Sequence, residues 1–215
     1  MIEIFILSLI QGVAEFLPVS SSSHLIIASE YLKIKKSLSI DVSLHLGSFL
    51  AVIVYFYKDV LNFYKDKIIF FKIIISSIPV MLVGFILVET NLIEKIRNIE
   101  TIAWTTLIFG VLLFVSDKFT IEKTIEKNFS FKSAIFIGSL QILALIPGVS
   151  RSGIAITAAR FLGFERVDSA KISFLISIPI LGAVSIFGFK NIIFSESQEF
   201  AKLNLPQEQS HPKNM

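Results

Sequence analysis

The sequence predicts an all-α integral membrane protein made of inverted-topology repeats, each a re-entrant helical hairpin plus transmembrane helices. Composition, the length of the apolar runs and an internal echo predict it. Of 215 residues, 53% are hydrophobic and only 17% charged, with a mean hydropathy of +0.75. A water-soluble chain of this size cannot hide so much apolar side chain. The apolar runs are separated by short charged connectors, and the longest match the ~20 residues a helix needs to cross ~30 Å of hydrocarbon. The echo is Phe16-Leu17-Pro18-Val19-Ser20-Ser21-Ser22-Ser23, answered by Leu145-Ile146-Pro147-Gly148-Val149-Ser150-Arg151-Ser152.

The elements follow in order. Apolar segments fall at 4–18, 23–32, 40–57, 68–88, 102–117, 131–146, 152–163 and 171–194. Those at 40–57, 68–88, 102–117 and 171–194 are long enough to span. The pairs 4–18/23–32 and 131–146/152–163 are each joined by Pro and serines, with no charged connector long enough to reach bulk water. Each pair predicts a hairpin that turns within the membrane, where irregular backbone is tolerated only beside protein or a wet cavity. The expected organisation is a first repeat over 1–117 (hairpin 4–32), a shortened second repeat over 131–194 (hairpin 131–163), and a polar tail over 195–215. The echo extends downstream, where Ala28-Ser29-Glu30-Tyr31-Leu32 matches Ala158-Ala159-Arg160-Phe161-Leu162. An odd number of spans lies between the hairpins, so the second enters from the opposite face and the two Pro-Ser tips meet near the midplane.

Several classes are excluded. With no cysteine, neither a disulfide framework nor a thiolate metal site is available. The net charge of +3 is modest and its lysines lie in connectors, so no nucleic-acid surface is expected. Met1-Ile2-Glu3 puts an acid where a cleavable leader needs a basic region, and Glu15 interrupts the apolar run behind it. Lys58, Lys65 and Lys67 share a face with Lys118, Lys123, Lys127 and Lys132, which makes that face cytoplasmic. Lys33, Lys35 and Lys36 fall on the other side, against the rule.

The candidate chemistry lies at the tips. Ser8, Gln11 and Glu15 share one face of the first helix, and a carboxylate at membrane depth needs a partner or water. Pro18 ends that helix and a serine caps the next, whose N-terminal N–H groups favour an anion. Ser21 and His24 are three apart, so His24 is expected to act on the Ser21 hydroxyl or on a water. Arg151, set among small residues in Pro147-Gly148-Val149-Ser150-Arg151-Ser152-Gly153, offers a guanidinium fork for phosphate oxygens. A phosphorylated substrate is the expectation. Glu15 would repel a diphosphate unless protonated or holding Mg²⁺ or Ca²⁺. The plainer readings are a solvated Glu15 near the interface and a simple Gly-Ser turn at Gly148. Glu30, Asp41, His45 and Asp117 read as solvated charge at helix ends, and Pro79 and Pro179 as kinks within spans.

Gln11-x-x-x-Glu15-Phe-Leu-Pro-Val-Ser-Ser with His24, together with Pro147 to Gly153, closely resembles the undecaprenyl-diphosphatase family, the bacitracin-resistance proteins, from residue 1 to about 194. The resemblance implies an enzyme of the bacterial inner membrane that hydrolyses undecaprenyl diphosphate to undecaprenyl phosphate and inorganic phosphate. It thereby recycles the lipid carrier for peptidoglycan synthesis, with its site open to the periplasmic side. It implies catalytic roles for Glu15, Ser21, His24 and Arg151, and substrate contacts from Gln11, Ser20, Ser22, Ser150, Ser152 and Gly153. Here Ser22-Ser23 replaces the family's usual Thr-Gly, and Ala155 stands where a Thr is common, with Thr157 on another face. About two further spans usual in the family are expected beyond 194, where this sequence is polar; a short variant, a truncated product or a homo-oligomer completed by its neighbour would each account for that. Inverted repeats with broken helices are also a transporter design, so a polyprenyl-phosphate flippase or an inactive shortened paralogue is the rival reading.

Overall fold

In the computed structural model, the described residues are 2–34, 38–63, 65–90, 98–119 and 123–203, with the side chains of 38 and 194–203 left out. They are helical throughout, without a named strand. The first hairpin is α1 (Ile2–Ala14) and α2 (Ser21–Tyr31), which pack on one another. Then come α3 (Leu38–Tyr55), the short α4 (Tyr57–Asn62), α5 (Lys67–Glu89) and α6 (Ile99–Ser116). After a single turn, α7 (Ile125–Asn128), the second elbow is built by α8 (Phe131–Leu140), a 3₁₀ turn (Gln141–Leu145) and α9 (Arg151–Phe161). The last helix is α10 (Arg166–Leu203).

Local chemistry sets these boundaries. Asp66 caps α5 by accepting from the N–H groups of Ile68 and Ile69, and Asn98 caps α6 by accepting from Thr101. Ser130 and Ser150 cap α8 and α9 in the same way. The two helices that follow the elbows stop alike. At the end of α2 the N–H of Ile34 donates to Ser29 O (2.9 Å), and at the end of α9 that of Phe164 donates to Ala159 O (3.1 Å). Each closing residue has a left-handed backbone, Lys33 at φ 53° and Gly163 at φ 88°. This is the Schellman stop, which favours glycine and holds a lysine in one of its two occurrences.

Among the described residues, three helices are long and apolar enough to cross a membrane: Lys67–Glu89, Ile99–Ser116 and Arg166–Ile193. The fourth expected span, 40–57, ends at Tyr55, where Phe56 breaks the helix, and its apolar stretch Ser39–Tyr55 is shorter than those three. The expected run 131–146 is an α-helix only to Leu140 before tightening into a 3₁₀ turn. Within the expected polar tail, 195–203 continue the helix of α10 to Leu203; 204–215 lie outside the described residues. Pro79 and Pro179 sit inside α5 and α10.

Two apolar clusters hold the elements together. Leu7, Leu25 and Leu44 join α1, α2 and α3. Val80, Ile137, Ala155, Ala158, Ala159, Ile172 and Ile176 join α5, α8, α9 and α10, and their small members let backbones approach closely, as helices in lipid require. The helix α10 packs on α3, α5 and α9 and so ties the clusters. Residues 59–63, 65–69 and 124–126 and the α9–α10 turn gather at one end around a cavity of about 510 Å³ lined by Asp59, Lys65, Thr124, Glu165 and Asp168. There Lys171 pairs with Asp59 (2.7 Å) and the Ile125 N–H donates to Asp168 (2.8 Å).

Candidate active site

The two Pro-Ser elbows touch. In the first, α1 delivers Gln11 and Glu15 to the interior, both buried. In the second, Gly148 turns the chain at φ +94°; a Cβ there would lie 2.0 Å from Thr105 Oγ1, so only glycine fits. Thr105 of α6 donates its hydroxyl to Pro147 O (2.6 Å) and Thr106 donates to Gly148 O (3.2 Å), fixing the turn that launches α9.

Arg151, the first residue of α9, reaches from the second elbow to the first. Its Nη2 donates to Glu15 Oε1 at 2.8 Å, with side-chain exposures of 15% and 6%. The other carboxylate oxygen accepts from Ser21 Oγ (2.7 Å) and from Gln11 Nε2 (2.9 Å). Glu15 is thus held by the helix before its own elbow, the helix after it, and the opposing elbow. Around this centre, Ser152 and Ser150 both donate to Leu17 O, the latter at 3.5 Å, and Ser150 Oγ accepts from the Gly153 N–H (3.1 Å). A Cβ on Gly153 would come within 3.3 Å of Pro18 O, so the second helix is seated directly against the first turn. Ser173 of α10 supports α9 by donating to Ser152 O (3.3 Å).

The serine cluster is arranged differently from expectation. Ser21 donates to Glu15 and not to His24, whose Nδ1 is instead 2.7 Å from Ser20 O, one turn back. A carbonyl only accepts, so Nδ1 carries the proton and Nε2 of the neutral ring carries the lone pair. His24 is exposed. Ser20 accepts from Ser23 (2.9 Å) and shares a hydrogen with Ser22 (3.2 Å). Glu15, not His24, is therefore the group that accepts the Ser21 hydroxyl's hydrogen bond. Thr157 lies outside the site, donating to Gly153 O (2.8 Å) along its own helix.

Some residues were not legible as parts of this assembly. His45, read as a solvated helix-end charge, lies close enough to Glu15 to interact with it electrostatically, and its Nδ1 is fixed 2.8 Å from Asp41 O. Asp117, read the same way, is bound by both Nε and Nη2 of Arg166 (2.8 and 2.7 Å) and lies 3.5 Å from Arg160 Nε. Arg160 itself is buried and donates to the carbonyls of Phe164, Asp117 and Phe119. Thr105 and Thr106 could have been suspected as adjacent hydroxyls inside a span. Gln141 sits nine residues before its N-cap serine, as Gln11 does before Ser20. It is fully buried with both amide atoms unpaired, and Gln11 Oε1 is likewise unpaired. Among the described residues no group of three His, Asp or Glu side chains is arranged to hold a metal ion. Oxygens that suit a hard cation are those of Glu15, beside Arg151, and the unpaired Oε1 of Gln11, whose amide bonds Glu15.

The fold and site define a class: a polytopic helical membrane protein in which two broken helices bring a carboxylate, a serine and an arginine together. The particular family follows from comparison with known proteins. The model of the bacitracin resistance protein BacA family matches residues 4–207, and the chain belongs to that family. It is 49% identical over 194 residues to the undecaprenyl-diphosphatase of Pelagibacter ubique, covering 89% of this chain and 76% of that protein. It is 38% identical over 213 residues to that of Jannaschia sp. (93% and 80% covered) and 42% identical over 200 residues to that of Hahella chejuensis (86% and 74%).

Proposed function

We propose that this chain hydrolyses undecaprenyl diphosphate to undecaprenyl phosphate and inorganic phosphate, returning the lipid carrier to peptidoglycan synthesis and conferring bacitracin resistance. The observation that carries the reading is Glu15, which holds the Ser21 hydroxyl on one oxygen and the Arg151 guanidinium on the other. An arriving diphosphate displaces Glu15 from Arg151. Its terminal oxygens then sit between the guanidinium fork and the N–H groups that open α2 and α9. Glu15 accepts the Ser21 proton as Oγ bonds to the terminal phosphorus and the bond to the bridging oxygen breaks. The bridging oxygen leaves with undecaprenyl phosphate and takes up that proton from Glu15. Water, giving a proton to Glu15 or to His24 Nε2 as its oxygen bonds to phosphorus, then cleaves the phosphoserine: the Oγ–P bond breaks, Ser21 Oγ takes up that proton, and inorganic phosphate leaves. Arg151 and the helix N-termini stabilise the charge that develops on the phosphoryl group. Ser20, Ser22, Ser150, Ser152 and Gly153 shape the elbow around it. Mg²⁺ or Ca²⁺ belongs to the proposal: Glu15 and Gln11 Oε1 would hold the ion, which would neutralise diphosphate charge.

We place the lysine-bearing connectors at 58–67 and 118–132 in the cytoplasm and the substrate's approach on the periplasmic side, with the prenyl tail in the bilayer. The two hairpins are the cores of inverted repeats in this reading, supported by a serine at the N-cap position of the helix after each elbow and by matching stops. The test is phosphate release from purified undecaprenyl diphosphate in detergent, with and without chelator. Wild-type protein releases phosphate. S21A abolishes release, and R151K, which keeps the charge but loses the fork, lowers it by about a hundred- to a thousandfold. A folded wild-type protein that releases none is a translocase or an inactive relative, and full activity in S21A removes the serine step.

A further inference from the structure

At the end of the molecule carrying the α9–α10 turn, a groove of about 440 Å³ runs along α6, lined by Gly110, Leu113 and Phe114 and closed at its rim by Asp117 and Arg166. Its inner part is open and apolar. A Cβ built on Gly110 would meet nothing within 4 Å, and the neighbouring Val111 and Phe114 are exposed on a helix long enough to span. A slot of that kind on a lipid-facing helix has the shape of an acyl chain's seat.

Its rim is cationic. Asp117 is the carboxylate of the groove, and it faces Arg166, Arg160 and, one residue on, Lys118. Lys118 Nζ stands 4.7 Å from the centroid of the Phe114 ring, directly over the slot's wall. Arg166 is 74% exposed even while it binds Asp117, and its remaining surface faces outward. Glu165 and Asp168, the acids nearest along the chain, line the other cavity at this end. Among the described residues, one carboxylate against three cations leaves a positive excess at the level where a spanning helix meets the headgroups. Basic rims beside apolar grooves at that level suit anionic lipid headgroups.

We propose that this groove binds an anionic phospholipid from the leaflet on that face, its phosphate between Arg166 and Lys118 and one acyl chain along Gly110. The site is separate from the elbows, and its test does not depend on hydrolysis. Purified protein in detergent is titrated with phosphatidylglycerol, phosphatidylcholine or inorganic phosphate, and bound lipid is read by native mass spectrometry. Phosphatidylglycerol forms a one-to-one adduct at least roughly tenfold more readily than phosphatidylcholine, and inorganic phosphate does not compete. K118Q, at an exposed position, weakens the adduct roughly fivefold, and K118Q/R166Q weakens it roughly twenty-five-fold. G110F, at a position where an added Cβ meets nothing within 4 Å, fills the slot and removes the adduct. Equal binding of the two lipids, competition by inorganic phosphate, or an undiminished adduct in G110F overturns the proposal.

Discussion

The contact between the elbows can be measured as a coupling between Glu15 and Arg151. The pair is 2.8 Å apart and nearly dry, with side chains 6% and 15% exposed. With charge centres ~4 Å apart and an effective dielectric of ~20, the attraction is about 4 kcal/mol. Removing one partner strands the other, at about 3–5 kcal/mol for a buried pair. R151Q leaves the more buried charge behind, but Gln11 and Ser21 still bond that carboxylate, so its cost falls at about 3 kcal/mol. E15Q leaves Arg151, which has some access to water, and should cost about 1–2 kcal/mol. The double variant E15Q/R151Q buries no charge and should be more stable than R151Q alone, giving a coupling of about 2–3 kcal/mol. Reversible unfolding in mixed micelles, followed by tryptophan fluorescence of the single Trp104, supplies all four corners of the cycle. If the double variant equals the sum of the singles within about 0.5 kcal/mol, the charges do not hold the elbows together and the reasoning fails.

Other substitutions test the frame. G148A forces a side chain into a left-handed turn and into Thr105, so it should cost more than about 2 kcal/mol and lose activity, read by thermal unfolding beside phosphate release. T105V removes the hydroxyl that donates to Pro147 O and should cost about 1–2 kcal/mol, with a matching drop in turnover. K33G should raise stability by about 1 kcal/mol with turnover unchanged, since Lys33 occupies the left-handed position that Gly163 fills in the matching stop. A neutral or destabilised K33G would mean that the lysine side chain itself holds that turn.

Both elbows were legible because their signals are local. A proline precedes each following helix, a serine stands at that helix's N-cap position (Ser150 bonding it through its side chain, Ser20 not), and the C-caps Leu32 and Leu162 close the echoed pentapeptides. Meeting of Glu15 with Arg151 followed from counting spans between two such elbows. The partner of Ser21 was not legible, because a three-residue spacing shows which side chains share a helix face but not which rotamer finds the better acceptor. His24 had a carbonyl one turn back, and Ser21 had a buried carboxylate. His45, Asp117 and Arg160 gain their meaning from residues tens of positions away, which periodicity does not reveal. The 3₁₀ tightening at Gln141–Leu145 is likewise a matter of how the chain meets its neighbours.

Thr105 and Thr106 bind the second turn to α6, an 18-residue rod of about 27 Å whose sides are mostly open to lipid. That is slightly less than the ~30 Å of an average hydrocarbon layer. Stretching or compressing the bilayer therefore bears on the helix that sets where Arg151 begins. Two threonine hydroxyls thus stand between any such strain and the grip of guanidinium on carboxylate.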